Sequence, residues 1–196
     1  MGLLEALIGQ AKNPKGFVGS AMLKIMNSAH SRMTAWGLSK IHIDDHATVL
    51  DIGCGGGQTL KTLSSILPNG RIYGVDYSEE AVAASIRENS KDVQAGKMAV
   101  MQAGVSSMPF QDGHFDLATA FQTHYFWPDL KNDIREVNRI LKPGGRFLLV
   151  SEIYKINYHM KEYKTADALR ALFVEAGFTD VQVFQSKAAV CFVGTK

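Results

Sequence analysis

The stretch Val49–Leu60, VLDIGCGGGQTL, constrains this chain more than any other. A short apolar run ends in an acid, opens into four glycines at 53, 55, 56 and 57, and continues in residues that suit a helix. It reads as a strand, a tight loop and a first helical turn. Glycines there permit positive φ and, lacking Cβ, let a ligand lie against backbone where a helix N-terminus presents unpaired N–H groups. Such a loop suits a nucleotide-like cofactor.

The spacing then separates the nucleotide users. A dinucleotide fingerprint needs a third small residue where Gln58 stands, counting from Gly53. A P-loop needs Gly-Lys-Ser/Thr, and the nearest basic residue, Lys61, is not in that setting. Asp51, two residues before the first glycine, would repel a bound pyrophosphate and favours a cation instead.

Asp51, Gly53, Gly55 and Gly57 resemble motif I, acid-x-Gly-x-Gly-x-Gly, of the class I S-adenosylmethionine-dependent methyltransferases. The later segments SMPFQDGHFD and LKPGGRFLLVSE, in that order and spacing, resemble the small-molecule, methyltransferase type 11-like branch of that family. The resemblance covers roughly Ala47 to the end and implies S-adenosylmethionine, whose sulfonium and ammonium suit an acid and whose lack of phosphate suits a missing lysine. It also implies a role for Asp76, at the end of the second strand, as acceptor for both ribose hydroxyls, with Tyr77 beside the adenine. The cofactor set so implied is Asp51, Gly53, Cys54, Gly55, Gly57, Asp76, Tyr77, Gly104, Val105 and Gln122. One departure stands out: many relatives carry Gly-Asp-Ala after the third strand, the Asp meeting the adenine amino group, whereas this chain has Ala103-Gly104-Val105. The Val105 N–H is left to bond the ring, or Ser106 to substitute for the missing acid.

The remaining residues fill in an α/β order. At 196 residues the chain is read as one domain, with an N-terminal helical cap over residues 1–46 and the cofactor-binding part over residues 47–196. Apolar spacing predicts helices at residues 3–10 and, through Met22, Met26, Ala29, Met33 and Trp36, at residues 17–36. Strands are expected at 47–52, 71–76, 97–102, 115–121 and 147–151. Helices are expected at 58–66, from Ser78 as N-cap to about Ser90, and from Asp129 as cap over 130–141, ended by a type II turn at Lys142–Gly145. A polar-aromatic segment at 152–164, a helix at 165–176 stopped by Gly177, and two runs at 178–185 and 188–194 complete the chain. Only Ser186 and Lys187 separate those runs, too few for a crossover, so they must pair as a hairpin. The fold class is therefore α/β: a Rossmann-like, seven-stranded, mostly parallel sheet with one antiparallel strand and helices on both faces.

Composition narrows the partners. The formal charge is +2 with no dense Lys/Arg block, which points away from nucleic acid. Two cysteines, Cys54 and Cys191, form neither a disulfide framework nor a zinc spacing, and no run has the apolar length of a membrane span. No signal peptide is read at the N-terminus, so a cytoplasmic protein is expected. No His/Asp/Glu constellation has metal spacing, and a metal-dependent reaction is not expected.

Methyl transfer by in-line displacement draws mainly on alignment of the acceptor with the methyl group. A base matters where the acceptor arrives protonated, and His124, just after the fourth strand, is the candidate. Trp36, Tyr125, Trp127, Tyr158 and His159 are the candidates for a partly apolar pocket around a small-molecule acceptor. Two other readings compete: a non-catalytic cofactor-binding sensor or partner subunit, motivated by Gly104, and an NAD-dependent oxidoreductase, opposed by Gln58.

Overall fold

The computed structural model describes residues 31–196. The expected helix at 3–10, and residues 17–30 of the second, lie outside the described residues; residues 31–38 are helical. Strands β1 (Thr48–Ile52), β2 (Arg71–Asp76), β3 (Met98–Gln102), β4 (Phe115–Phe121), β5 (Leu141–Glu152), β6 (Asp180–Gln185) and β7 (Ala189–Thr195) form one sheet in the order β3-β2-β1-β4-β5-β7-β6. All neighbouring pairs from β3 to β5 are parallel, and β7 runs antiparallel to both β5 and β6. The seven-stranded arrangement and the terminal hairpin are those expected from the sequence.

Successive strand residues feed two cores, as a sheet covered on both faces requires. Leu50, Ala118, Phe147, Leu149 and Phe192 point to one side, where α4 (Leu130–Ile140), α5 (Ile153–His159) and α6 (Ala166–Glu175) pack. Val49, Leu117, Leu148, Val150 and Cys191 point to the other, against α1 (Gln58–Ile66) and the helical stretch 31–38. Helices α2 (Glu79–Glu88) and α3 (Ser90–Gln94) lead from β2 to β3. Side chains start these helices where the sequence places caps: Ser78 accepts from the Ala81 N–H, Asp129 from Asn132 and Thr165 from Ala168. Gly177 ends the last helix at φ 96°, a conformation that costs glycine little.

Two local expectations change. Lys142–Gly145 does not end the preceding element as a separate turn: β5 begins at Leu141, pairs Leu141 with Phe115, and resumes pairing at Arg146 with Leu117. Gly144 still takes the φ of 77° that a type II turn asks for, while Gly144 and Gly145 exchange backbone hydrogen bonds with Lys196. The 152–164 segment contains helix α5, which buries Ile156.

Phe173 joins the α6 layer to the sheet, with ring centroids 5.1 Å from Phe147, 5.3 Å from Phe178 and 5.7 Å from Phe192. Replacing this fully buried ring with alanine should lower the unfolding free energy by about 3–5 kcal/mol in urea titrations. A loss below about 1 kcal/mol would mean that this face is not packed as described.

Candidate active site

The sheet order reverses at β1: the chain runs outward through β2 and β3 on one side and returns to β4 on the other. Beyond the carboxyl ends of those strands a crevice is left open, the usual ligand position in open α/β sheets. The loop after β1 is drawn over the end of β2, because the Gly53 and Cys54 N–H groups both donate to the Val75 carbonyl, at 2.8 and 3.0 Å. Gly53 and Gly57 are required twice over. They sit at φ 76° and 84°, and a Cβ on either would come within 2.5 Å of Thr123 or of Asn89 and Ser85 respectively. Gly57 begins α1 without a side-chain cap, leaving the first-turn N–H groups for an anionic group. Cys54 turns inward, with its sulfur 4.0 Å from the Ser85 hydroxyl and its thiol pKa raised by burial. Its carbonyl accepts the Gly57 N–H at 2.9 Å, so Cys54 shapes the loop from within.

Two carboxylates face this loop. Asp51 is 2% exposed and accepts the Thr119 hydroxyl at 2.7 Å, Thr119 being its register partner on β4. Burial pushes its pKa up to about 7; the Thr119 bond opposes the shift and the charge of Asp76 adds to it. The Asp76 carboxylate is aimed by backbone, accepting from Gly55 N–H at 2.9 Å and Ser78 N–H at 3.0 Å. Its pKa is also raised by burial, against those hydrogen bonds. Lys61, the nearest basic residue in sequence, pairs with Glu88 at 2.8 Å. An ionised Asp51 is therefore costly until a cation arrives. A ligand with a positive centre, a hydroxyl pair and a carboxylate fits these groups better than a phosphate ester does.

The other cofactor residues expected from sequence divide. Tyr77 is 54% exposed beside Asp76. Gly104 is exposed and Val105 buried, both following β3. Gln122 takes a left-handed φ of 63°, and its amide is fully engaged: Nε2 donates to Glu152 and to the Met33 sulfur, each at 3.0 Å, and Oε1 accepts the Tyr125 hydroxyl at 3.0 Å and the Glu152 N–H at 3.2 Å. In this arrangement it braces the ends of β4 and β5.

Among the substrate candidates, Tyr125 stacks on His159 at 5.0 Å and 11°, and the Tyr158 ring meets His159 edge-on at 4.9 Å. Tyr158 is 63% exposed. Trp127 and Trp36 pack on the two cores of the sheet. Trp127 stacks over the core ring of Phe147, while Trp36 packs on the opposite core with the Lys40 ammonium 5.3 Å from its ring. His124 is 1% exposed, its Nδ1 lies 3.0 Å from the Ser151 hydroxyl, and burial lowers its pKa to about 3. Such an imidazole stays neutral at physiological pH.

Sequence reasoning does not single out Thr119 as a site residue. Thr119 carries no motif, and its role follows only from the β1–β4 register. Glu152 is a strand-end acid whose pairing with Lys155, at 2.9 Å, depends on the helical turn of α5.

The raised pKa of Asp51 fixes the sign of a pH effect. Between the ordinary value of 3.8 and about 7 the unfolded chain has released this proton while the folded chain keeps it, so rising pH favours unfolding. The unfolding free energy of the ligand-free wild type, measured relative to Asp51→Asn, should fall by about 1 kcal/mol per pH unit across that window and level off on either side. A pH-independent difference between the two proteins would refute the assigned shift.

Comparison with known proteins agrees with this geometry. Residues 50–149, about half of the chain, match the methyltransferase domain family. A sterol 4-C-methyltransferase of Caenorhabditis elegans is 26% identical over 160 residues, covering 77% of this chain and 43% of its own length. A demethylmenaquinone methyltransferase of Lactococcus lactis is 33% identical over 107 residues, covering 53% of this chain and 41% of its own. The chain thus spans less than half the length of these two relatives. A SAM-dependent methyltransferase from Aquifex aeolicus superposes with a TM-score of 0.72 at 17% identity, over 90% of this chain and 97% of that one, which shows the shared fold. With the motif, the strand order and the domain match in agreement, the chain belongs to the class I S-adenosylmethionine-dependent methyltransferases.

Proposed function

We propose that this chain methylates a small, largely apolar acceptor. The observation that carries the reading is the pair of acids, Asp51 and Asp76, around a glycine-lined loop with no lysine between residues 49 and 60. S-adenosylmethionine, when bound, supplies a methyl group made electrophilic by its sulfonium. Asp76 holds the ribose hydroxyls through the lone pairs its two backbone donors leave free, Asp51 offsets the positive charge, and the uncapped start of α1 receives the carboxylate. Tyr125, Tyr158 and His159 supply ring faces for the acceptor. Two relatives are named for a sterol and for demethylmenaquinone, both apolar ring compounds, which supports an acceptor of that kind. Met33 reaches Gln122 from the helical stretch 31–38, which supports reading that stretch as part of the same domain.

In this reading His124 positions β5 through Ser151 and does not take up a proton; alignment of the acceptor supplies most of the rate. No helix of the described residues is long and apolar enough to cross a membrane. A non-catalytic sensor remains the second reading, favoured by that buried, neutral histidine.

Calorimetry with S-adenosylmethionine and S-adenosylhomocysteine should give saturable binding, weakened at least about tenfold in Asp76→Ala. Absence of binding by folded protein would remove the cofactor reading. Incubation of methyl-labelled cofactor with an organic extract of cells should then label an apolar product, whereas binding without product would favour the sensor. His124→Asn should lower the melting temperature yet keep kcat within about fivefold. A loss of more than about a hundredfold, with binding intact, would restore this residue as the base.

A further inference from the structure

A pocket of about 510 Å³ opens at the end of the sheet away from the glycine loop. Strands β1, β4 and β5 run parallel, so their amino ends lie together there, with the chain leading into β1 on one side and the Lys142–Arg146 stretch of β5 on the other. That volume is within the range that holds a small ligand. Backbone fixes both walls. The Ala47 N–H donates to the Asp44 carbonyl at 3.0 Å, and the Ala47 carbonyl accepts the Arg71 N–H at 3.1 Å. Opposite them, the Gly144 N–H donates to the Lys196 carbonyl and the Gly145 carbonyl accepts the Lys196 N–H, each at 2.9 Å. A Cβ at Gly145 would lie 2.8 Å from the Lys142 carbonyl oxygen and 3.0 Å from that of Phe115, so this wall is drawn tightly onto the strand beside it.

The lining has an apolar part and a charged part. Ala47 and Leu117 are buried, and Ile43 and Pro143 add hydrocarbon surface to them. Four side chains bring full charges: Asp44, Asp116, Lys142 and Arg146. Two of these cancel. The Lys142 ammonium donates to both carboxylate oxygens of Asp116, at 2.8 and 2.9 Å, and Asp116 also accepts the Thr48 N–H at 2.9 Å. Arg146 is held differently: one terminal nitrogen donates to the His42 carbonyl, and among the described residues no carboxylate pairs with the guanidinium. Most of its donors are left over, in the planar fork that matches a carboxylate with two parallel hydrogen bonds. Asp44 is exposed and uses Oδ1 to accept the His46 N–H at 2.8 Å. One uncompensated guanidinium near that acid suits a ligand with a single negative charge. A dianionic phosphate ester would face Asp44 and Asp116 with no second cation to offset it.

We propose that this pocket is a second ligand site, which takes a small monocarboxylate with an apolar body: Arg146 holds the carboxylate in a fork of two hydrogen bonds, and Ile43, Ala47, Leu117 and Pro143 receive the ring or chain. The site lies at the far end of the strands that carry Asp51, Thr119 and Ser151, so its ligand is neither the cofactor nor the methyl acceptor. It stands independently of the proposed cofactor reading.

The probe is benzoate, titrated into the ¹⁵N-labelled full chain with amide shifts followed by NMR. Shifts at residues 43–47 and 144–146 should saturate with a Kd of about 1–10 mM. Benzamide, which keeps the ring and loses the charge, and dianionic phenyl phosphate should each bind at least about fivefold more weakly. Arg146→Gln should weaken benzoate at least about fivefold, and Arg146→Lys, which keeps the charge without the fork, should fall between the two. Saturating S-adenosylhomocysteine should leave the benzoate Kd within about twofold. Benzamide binding to wild type as tightly as benzoate would overturn the proposal even where the Arg146 variants fail to fold. Tighter binding of phenyl phosphate, displacement of benzoate by S-adenosylhomocysteine, or the absence of saturable shifts at these residues up to about 50 mM would also overturn it.

Discussion

One backbone carbonyl, that of Val75, organises the site by taking the N–H groups of both Gly53 and Cys54. Those two bonds bend the chain across the end of β2 as soon as it leaves β1, which brings Gly55 N–H to the Asp76 carboxylate and starts α1 at Gly57. Side chains at positions 53 and 57 would collide with Thr123 and with α2, so the loop lies close on elements that come later in the chain. The crevice is thus set by main-chain geometry, and main chain in a sheet covered on both faces has little freedom to move.

That rigidity has an electrostatic consequence. Asp51 is buried on the α1 side of the sheet next to Thr119, and its ionised form gains one hydroxyl hydrogen bond against the cost of burial. Asp76 is oriented by backbone donors but stays partly exposed. The two acids consequently differ in kind: Asp76 is a hydrogen-bond acceptor aimed by backbone, while Asp51 carries an unfavourable desolvation that a cation would relieve. A phosphate would relieve neither.

How far the sequence reveals this depends on whether local or distant contacts decide. The strand, glycine loop and helix over residues 48–66, the caps at Ser78, Asp129 and Thr165, and the terminal hairpin are legible because each is set by residues a few positions apart. Burial of a ring after a strand end is decided by what packs over it. Trp127 and Tyr125 are two positions apart in the same irregular turn, yet one stacks on core Phe147 and the other on His159 of α5. Helix α5 itself has no side-chain cap, and its aromatic composition argues as well for a loop. The start of β5 is obscured for another reason: Pro143 and Gly144 carry the signature of a turn, and only the pairing of Leu141 with Phe115 extends the strand through them.

Gln122 shows how the two halves of the site are joined. A non-glycine residue at φ 63° costs of order 1–3 kcal/mol and persists where its surroundings over-determine it. Here its N–H donates to the Val150 carbonyl at 2.9 Å while its amide ties together Met33, Tyr125 and Glu152. An ordinary extended residue would carry β4 straight on; the left-handed step instead turns the chain so that Thr123 lies against Gly53 and Tyr125 reaches His159 of α5. The strain is therefore placed between the glycine loop after β1 and helix α5, and on the proposed reading that is the joint at which cofactor and acceptor would be aligned.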